Sequence, residues 1–371
     1  MKNNIIIFEH DIQKYPPLLY IINYLIERKE NVVIFASCHD EQLVRSFNEK
    51  GISFFNIIDN NVNASKLTKL FRLWKFKNEI YKYMDKQPAE TTRLWLFGES
   101  CIWLCHKLIY SFKSILYLFE IPSFSVKFRY RVLSPGINYK SVLQKGHKVV
   151  CCEYNRAHVT KAYFDLKEFP LVIPNKPYLK DIKPVNLTID LSKLEGKKVV
   201  LYQGIFNYPE RKMEKLCEAI NFLPNDFVIC LMGEENSYKK ELKKKYESSR
   251  VIFLPYLKAP SHLEITKNAY IGYLSYSSES GNIKNVLNTL FCAPNKIFEY
   301  SKFNVPMISN DVPALKYLFS KFSAGRVFAD SSSDIVNQII EIDKNYDYYR
   351  RGALELYESV DLENHYLTLL D

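Results

Sequence analysis

The chain has 371 residues, 47% of them hydrophobic and 25% charged, the balance of a globular protein with cores to fill. That composition excludes a disordered, collagen-like or disulfide-framework chain, and no apolar run reaches the roughly 18 to 20 residues that span a bilayer. The net charge of +10 is lopsided: residues 1–190 hold 28 Lys and Arg against 18 Asp and Glu, whereas the remainder balances at 23 each.

The length predicts two or three domains. Eight cysteines lack regular spacing, and Met1-Lys-Asn-Asn runs straight into the strand-like Ile5–Phe8. Reduced thiols and a cytoplasmic location are the expectation. In chain order, Ile5–Phe8 reads as a buried strand. Pro16–Arg28 reads as a helix with Leu18, Leu19, Ile22, Leu25 and Ile26 on one face. Val32–Ala36 and Ile52–Asn56 follow as strands. Lys66–Met84 is a long basic amphipathic helix, and Arg93–Phe97, Ile115–Phe119 and Lys148–Cys152 complete a sheet. This alternation predicts a doubly wound α/β domain with a mostly parallel sheet.

Two stretches carry most of the positive charge. Residues 66–86 hold seven basic residues against Glu79 and Asp85, and residues 107–148 hold eight against Glu120 alone. Both are threaded with Phe, Trp and Tyr, a pattern that suits either nucleic acid or an anionic membrane surface.

Pro174, Pro177, Pro184 and the polar stretch Asn186–Glu195 mark a boundary. Domains over 1–180 and 196–347 are therefore expected, with a helix over 348–371. The second α/β run has strands at Lys198–Tyr202, Phe227–Met232, Val251–Leu254, Ala269–Leu274, Pro306–Ser309 and Arg326–Phe328. Helices are expected at Lys212–Asn221, Tyr238–Glu247, Pro260–Lys267, Asn295–Phe303 and Asp334–Asp343.

The most informative stretch is Ala293-Pro-Asn-Lys-Ile-Phe-Glu-Tyr300, followed by Pro306-Met-Ile-Ser-Asn-Asp311. Pro294 suits the first turn of a helix, because its ring holds the helical φ and it has no N–H to satisfy. Lys296 and Glu299 then fall near a helix start that attracts anions. Lys296 can add charge against a diphosphate, and Glu299 can accept hydrogen bonds from a ribose diol. Taken alone, a Lys–x–x–Glu pair is more simply a solvated helix face. Gly204 ends a strand and permits close approach of a phosphate. Arg211 opens the next helix with a guanidinium suited to a diphosphate, and Lys212 is its neighbouring alternative. Gly233 and Tyr256 follow later strands, where ligands of such sheets lie. Residues 276–288 read as a Ser- and Asn-rich loop, in which Glu279, Asn285 and Asn288 are candidate sugar contacts. In the first half, Glu120 ends a strand as a candidate acceptor-side base, with Glu153 and Arg156 in a similar place.

These residues resemble the donor-site signature of retaining glycosyltransferases of family 4. Pro-Asn-Lys-Ile-Phe-Glu-Tyr carries the resemblance, and Ile173-Pro-Asn175, Tyr202-Gln-Gly204, Arg211 and Leu231-Met-Gly233 are similar to further landmarks in the same order. The resemblance is strong from about 170 to 330 and weak before that. It implies a GT-B fold, two Rossmann-like doubly wound parallel-sheet domains facing across a cleft, with the last helix packing back on the first domain. It also implies a nucleoside diphosphate sugar, UDP- or GDP-linked, held by Arg211, Lys296 and Glu299. A hexosyl or N-acetylhexosaminyl group would pass to a lipid-linked or surface-polysaccharide acceptor at the inner membrane face. Nucleic acid is then not an expected partner. One departure matters: the family's usual Glu eight positions before Glu299 is Phe291 here. A GT-B epimerase or hydrolase, or an inactive sugar-nucleotide-binding subunit, is the alternative.

Other signals fail. Asp-x-Asp, Gly-x4-Gly-Lys and Gly-x-Gly-x-x-Gly are absent, so no metal site or cofactor is expected. Cys101, Cys105 and His106 sit in a Trp- and Leu-rich segment that reads as a buried helix.

Overall fold

Strands covered on both faces need apolar side chains at every position, and this chain supplies them as short continuous runs. Ile5-Ile-Ile-Phe8 and Val199-Val-Leu-Tyr202 are almost wholly buried. The computed structural model describes residues 2–57, 65–178, 189–278 and 281–371. It divides into two compact units, Met1–Pro174 with Leu362–Asp371, and Asn175–Asp361.

The first unit holds seven parallel strands: β1 (Asn3–Asp11), β2 (Asn31–Ser37), β3 (Ser53–Asn56), β4 (Thr92–Phe97), β5 (Lys113–Leu118), β6 (Lys148–Cys151) and β7 (Leu171–Val172). Their order is β3-β2-β1-β4-β5-β6-β7. The second unit holds β8 (Lys198–Gln203), β9 (Phe227–Met232), β10 (Val251–Leu254), β11 (Ile271–Leu274), β12 (Met307–Asn310) and β13 (Gly325–Phe328). Their order is β10-β9-β8-β11-β12-β13, again parallel throughout. Both sheets are doubly wound, with the strand order reversing between β1 and β4 and between β8 and β11. Ligands of such sheets bind outside the carboxyl ends of the strands at that reversal.

Three local expectations change. Pro294 is the residue before the helix Asn295–Ser301, with extended backbone, rather than its first turn. Residues 276–288 are not all loop: Asn282 accepts from the Lys284 N–H and starts a helix over Ile283–Leu290. Glu279 lies outside the described residues. The single C-terminal helix is two, Tyr346–Glu358 and Leu362–Leu370. Lys176 caps the end of the first, its ammonium donating to the carbonyls of Tyr357 and Val360 at 2.6 and 2.7 Å. A cation satisfies the orphan carbonyls at such an end. The last helix belongs to the first unit, where Arg93 donates to the Leu370 carbonyl and Lys148 to that of Thr368.

Candidate functional site

The carboxyl end of β8 brings together residues far apart in the chain. Gly204 follows the strand with φ at +140°, a conformation that favours glycine. A Cβ there would stand 2.3 Å from Lys296 Nζ and 2.6 Å from its Cε. The missing side chain is therefore the space the Lys296 ammonium occupies. That ammonium lies 4.6 Å from the centre of the Tyr202 ring. Burial pushes the Lys296 pKa down to about 7, and Arg211 pushes the same way, while Glu299 opposes both. Lys296 thus feels the repulsion of Arg211, with Glu299 as the opposing charge.

Arg211 is held by the loop after β8. Its guanidinium donates to the Glu210 carbonyl at 2.8 Å and lies 4.1 Å from the centre of the Tyr276 ring. Tyr276 follows β11 and is pinned by Asn310: its N–H donates to Asn310 Oδ1 at 2.8 Å, and Asn310 Nδ2 donates back to its carbonyl at 2.6 Å. The platform under Arg211 is thus rigid on both sides.

Glu299 is not on a solvated face. It is buried, and the helix Asn295–Ser301 buries Ile297 through Ser301. Its Oε2 accepts from Gln203 Nε2 at 2.7 Å, and its Oε1 lies 3.3 Å from His262 Nε2. Thr266 Oγ1 donates to Gln203 Oε1 at 2.7 Å, which turns the amide nitrogen toward the carboxylate. The Thr266 hydroxyl also lies 3.2 Å from the His262 carbonyl, so both partners of Glu299 adjoin one segment. A carboxylate has about four acceptor positions, so two partners leave it able to accept further hydrogen bonds. Asn175 Nδ2 donates to the Ala293 carbonyl at 2.7 Å and steadies the approach to the helix.

The remaining candidates are placed as follows. Gly233 ends β9 in close packing: a Cβ would meet the Gly204 carbonyl oxygen at 2.0 Å, so strand packing explains this glycine. Beneath it the buried Lys239 donates to the carbonyls of Gly233 and Leu254, both at 2.8 Å. Tyr256 and Asn285 are exposed, on the segment after β10 and on the helix Ile283–Leu290. Glu120 is exposed just after β5 in the first unit, where it and Glu9 hold the Tyr15 phenol above its ordinary range, behind the larger effect of burial. Glu153 caps the helix Tyr154–Phe164, and the buried Arg156 donates to the Phe119 carbonyl at 2.7 Å. Both side chains are engaged in these local contacts. Cys101 and Cys105 are buried, and His106 Nδ1 pairs with the Trp103 carbonyl. Among the described residues no group of three His, Cys, Asp or Glu is arranged to hold a metal ion.

Gln203, His262, Thr266 and Tyr276 went unassigned in the sequence. Gln203 sat in a legible landmark, Tyr202-Gln-Gly204, but nothing local announced that it would reach across to Glu299. His262 and Thr266 carry no motif.

Comparison with known proteins places the architecture. No family model matches the chain, and no curated protein matches its sequence. Solved structures do match over all of it. HepE from Anabaena, in complex with UDP and glucose, is 11% identical with a TM-score of 0.67 and 98% of its own chain covered. S. aureus MnaA, in a co-structure with UDP, is 12% identical at 0.67, with 95% covered. Sucrose-phosphate synthase from Thermosynechococcus elongatus is 13% identical at 0.67, with 97% covered. With its two parallel doubly wound sheets, the chain has the GT-B fold.

Proposed function

We propose that this chain is a retaining glycosyltransferase of the family 4 type, moving a hexosyl or N-acetylhexosaminyl group from a nucleoside diphosphate sugar to an acceptor hydroxyl. The observation that carries this is the crowding of Lys296 and Arg211 at the carboxyl end of β8, beside the buried Glu299. Two cations that repel one another and lie at a strand-order reversal are arranged for a polyanion. UDP is the favoured nucleotide, because similar folds hold it in HepE and MnaA.

In this reading the diphosphate lies against Lys296 and Arg211, with Gly204 leaving room beside it. Glu299 accepts from the ribose diol, Tyr256 flanks the base beyond the packed Gly233, and Asn285 faces the donor sugar. The bond from the sugar's anomeric carbon to the phosphate oxygen breaks, and the bond to the acceptor oxygen forms on the same face. The negative charge that develops on the diphosphate meets charges already in place, where preorganised electrostatics are most effective. The acceptor proton passes to an oxygen of the departing phosphate, with Glu120 as the protein group on the acceptor side. No metal is assigned a part. The acceptor is a lipid-linked or surface-polysaccharide precursor, reached at the inner face of a membrane, and nucleic acid is not a partner.

A thermal-shift screen against UDP-, GDP-, ADP- and dTDP-sugars tests the donor. A ligand at a hundred times its Kd stabilises the fold by about 2.7 kcal/mol. Incubation with donor and acceptor, followed by product analysis, tests the transfer. Stabilisation by no nucleotide sugar would contradict the reading. Phe291 is the observation behind a second one. Without the family's usual carboxylate facing the donor sugar, the same site serves an epimerase or hydrolase, or a binding subunit without turnover. Product analysis with donor alone separates these: an epimer or free sugar marks the former, unchanged donor the latter.

A further inference from the structure

The helix Lys66–Met84 carries two apolar stripes. Leu73, Phe76, Ile80 and Met84 are buried in the first unit's core. Leu67, Phe71 and Trp74 recur at the same helical spacing on the opposite side, and they are 79%, 61% and 50% exposed. The Phe71 and Trp74 rings stack with centres 5.6 Å apart. A water-soluble helix face has no use for three such residues in a row.

A second helix extends the pattern. Lys77 Nζ donates to the Leu133 carbonyl and lies 3.4 Å from Ser134 Oγ, so the helix Phe128–Leu133 ends against Lys66–Met84. On it Phe128 is 74% exposed and Val132 50%. Exposed Lys66, Lys69, Lys75 and Lys82 stand on the first helix, and Lys127, Arg129 and Arg131 on or beside the second. Acids are scarce: Glu79, 4.0 Å from Lys75, is the carboxylate within Lys66–Met84, and residues 121–152 contain none.

We propose that these two helices form a docking surface for an anionic lipid bilayer, with Leu67, Phe71, Trp74, Phe128 and Val132 entering the headgroup boundary and the surrounding Lys and Arg meeting lipid phosphates. Positive charge predominates over both helices, with Glu79 on the first and Glu9 accepting from Tyr130 on the second as the acids near them. Large side chains amid Lys and Arg match the chemistry of helices that lie in the membrane interface. Single-stranded nucleic acid fits less well, because Leu67 and Val132 offer no ring for a base to stack on. Among the described residues no helix is long and apolar enough to cross a membrane, so the surface serves attachment and not spanning. The inference rests on the proposed reading for its purpose, a lipid-linked acceptor, but its chemistry stands on the surface alone.

The test is co-sedimentation of the full chain with vesicles of phosphatidylcholine, with and without 30% phosphatidylglycerol, at about 0.15 M salt. Binding to the anionic vesicles only is expected. The variant Phe71→Ser/Trp74→Ser/Phe128→Ser should lose on the order of tenfold in vesicle affinity or more. The variant Lys69→Ser/Lys75→Ser/Arg131→Ser should lose the preference for anionic lipid. Circular dichroism and the UDP-induced thermal shift should match wild type in both, which separates this surface from the donor site. Failure to bind anionic vesicles, or equal binding by all three proteins, overturns the inference. So does a concentration-dependent dimer, or RNA binding, that is lost with the same substitutions while vesicles are ignored.

Discussion

Lys296 is the residue on which pH acts. Its folded pKa of about 7 lies below the ordinary lysine value, chiefly because it is buried and secondarily because Arg211 stands near. Between about pH 7 and the ordinary lysine range the unfolded chain therefore holds more protons, so the ligand-free protein gains stability as pH rises through that window. A diphosphate favours the protonated form, and its binding takes up a proton. Affinity for UDP should then fall above about pH 7, approaching tenfold per pH unit. Titration calorimetry in buffers of different ionisation enthalpy checks the uptake, and Lys296→Arg, permanently charged, should flatten the dependence. Glu299 makes a second prediction. Its carboxylate is oriented by Gln203, itself fixed by Thr266, and by His262. Glu299→Gln should weaken UDP more than 2′-deoxy-UDP, because the 2′-hydroxyl present only in UDP loses its acceptor. Gln203→Leu should keep the carboxylate but leave one buried side unpaired, costing about 1–3 kcal/mol in thermal unfolding. Equal loss for UDP and its 2′-deoxy analogue in Glu299→Gln would remove the ribose 2′-hydroxyl from this place.

Among the elements, the two glycines at the ends of β8 and β9 separate function from packing. In Gly204→Ala the new methyl displaces the movable end of Lys296 at a φ that L-residues rarely adopt, so UDP affinity should fall by about tenfold to a hundredfold together with a loss of about 1–3 kcal/mol in stability. In Gly233→Ala the methyl meets the fixed Gly204 carbonyl, so destabilisation should dominate, by about 1–3 kcal/mol. Denaturant unfolding and UDP titration of the pair distinguish the two. Strands were the most legible elements, because a buried parallel strand announces itself as an apolar run, as Ile5–Phe8 and Phe227–Met232 do. Helix limits were less so. The tract 276–288 is polar enough to read as loop, and only the Asn282 cap marks where a helix begins. The end after Glu358 is capped by Lys176, about 180 residues earlier, which no local window contains. In the same way Lys296 and Glu299 were readable from their motif, whereas the partners that bury and brace Glu299 come from other strands and helices.

For the molecule as a whole, an uneven charge and an even fold divide the work. The second unit, with 26 Lys and Arg against 23 Asp and Glu, carries the crowded cations and the braced carboxylate. The first unit, with 25 Lys and Arg against 18 Asp and Glu, carries most of the excess positive charge, together with the exposed Leu67, Phe71 and Trp74. Because the donor residues all belong to Asn175–Asp361, nucleotide binding should survive changes to the basic helices of the first unit, while transfer to a lipid-linked acceptor should not. Calorimetric titration of UDP into wild type and into Lys296→Ala/Arg211→Ala tests the donor site most directly. Saturable one-to-one binding by wild type is predicted, with at least about a hundredfold loss in the double variant and an unchanged circular dichroism spectrum. Equal affinity in the two proteins would mean that the diphosphate lies elsewhere.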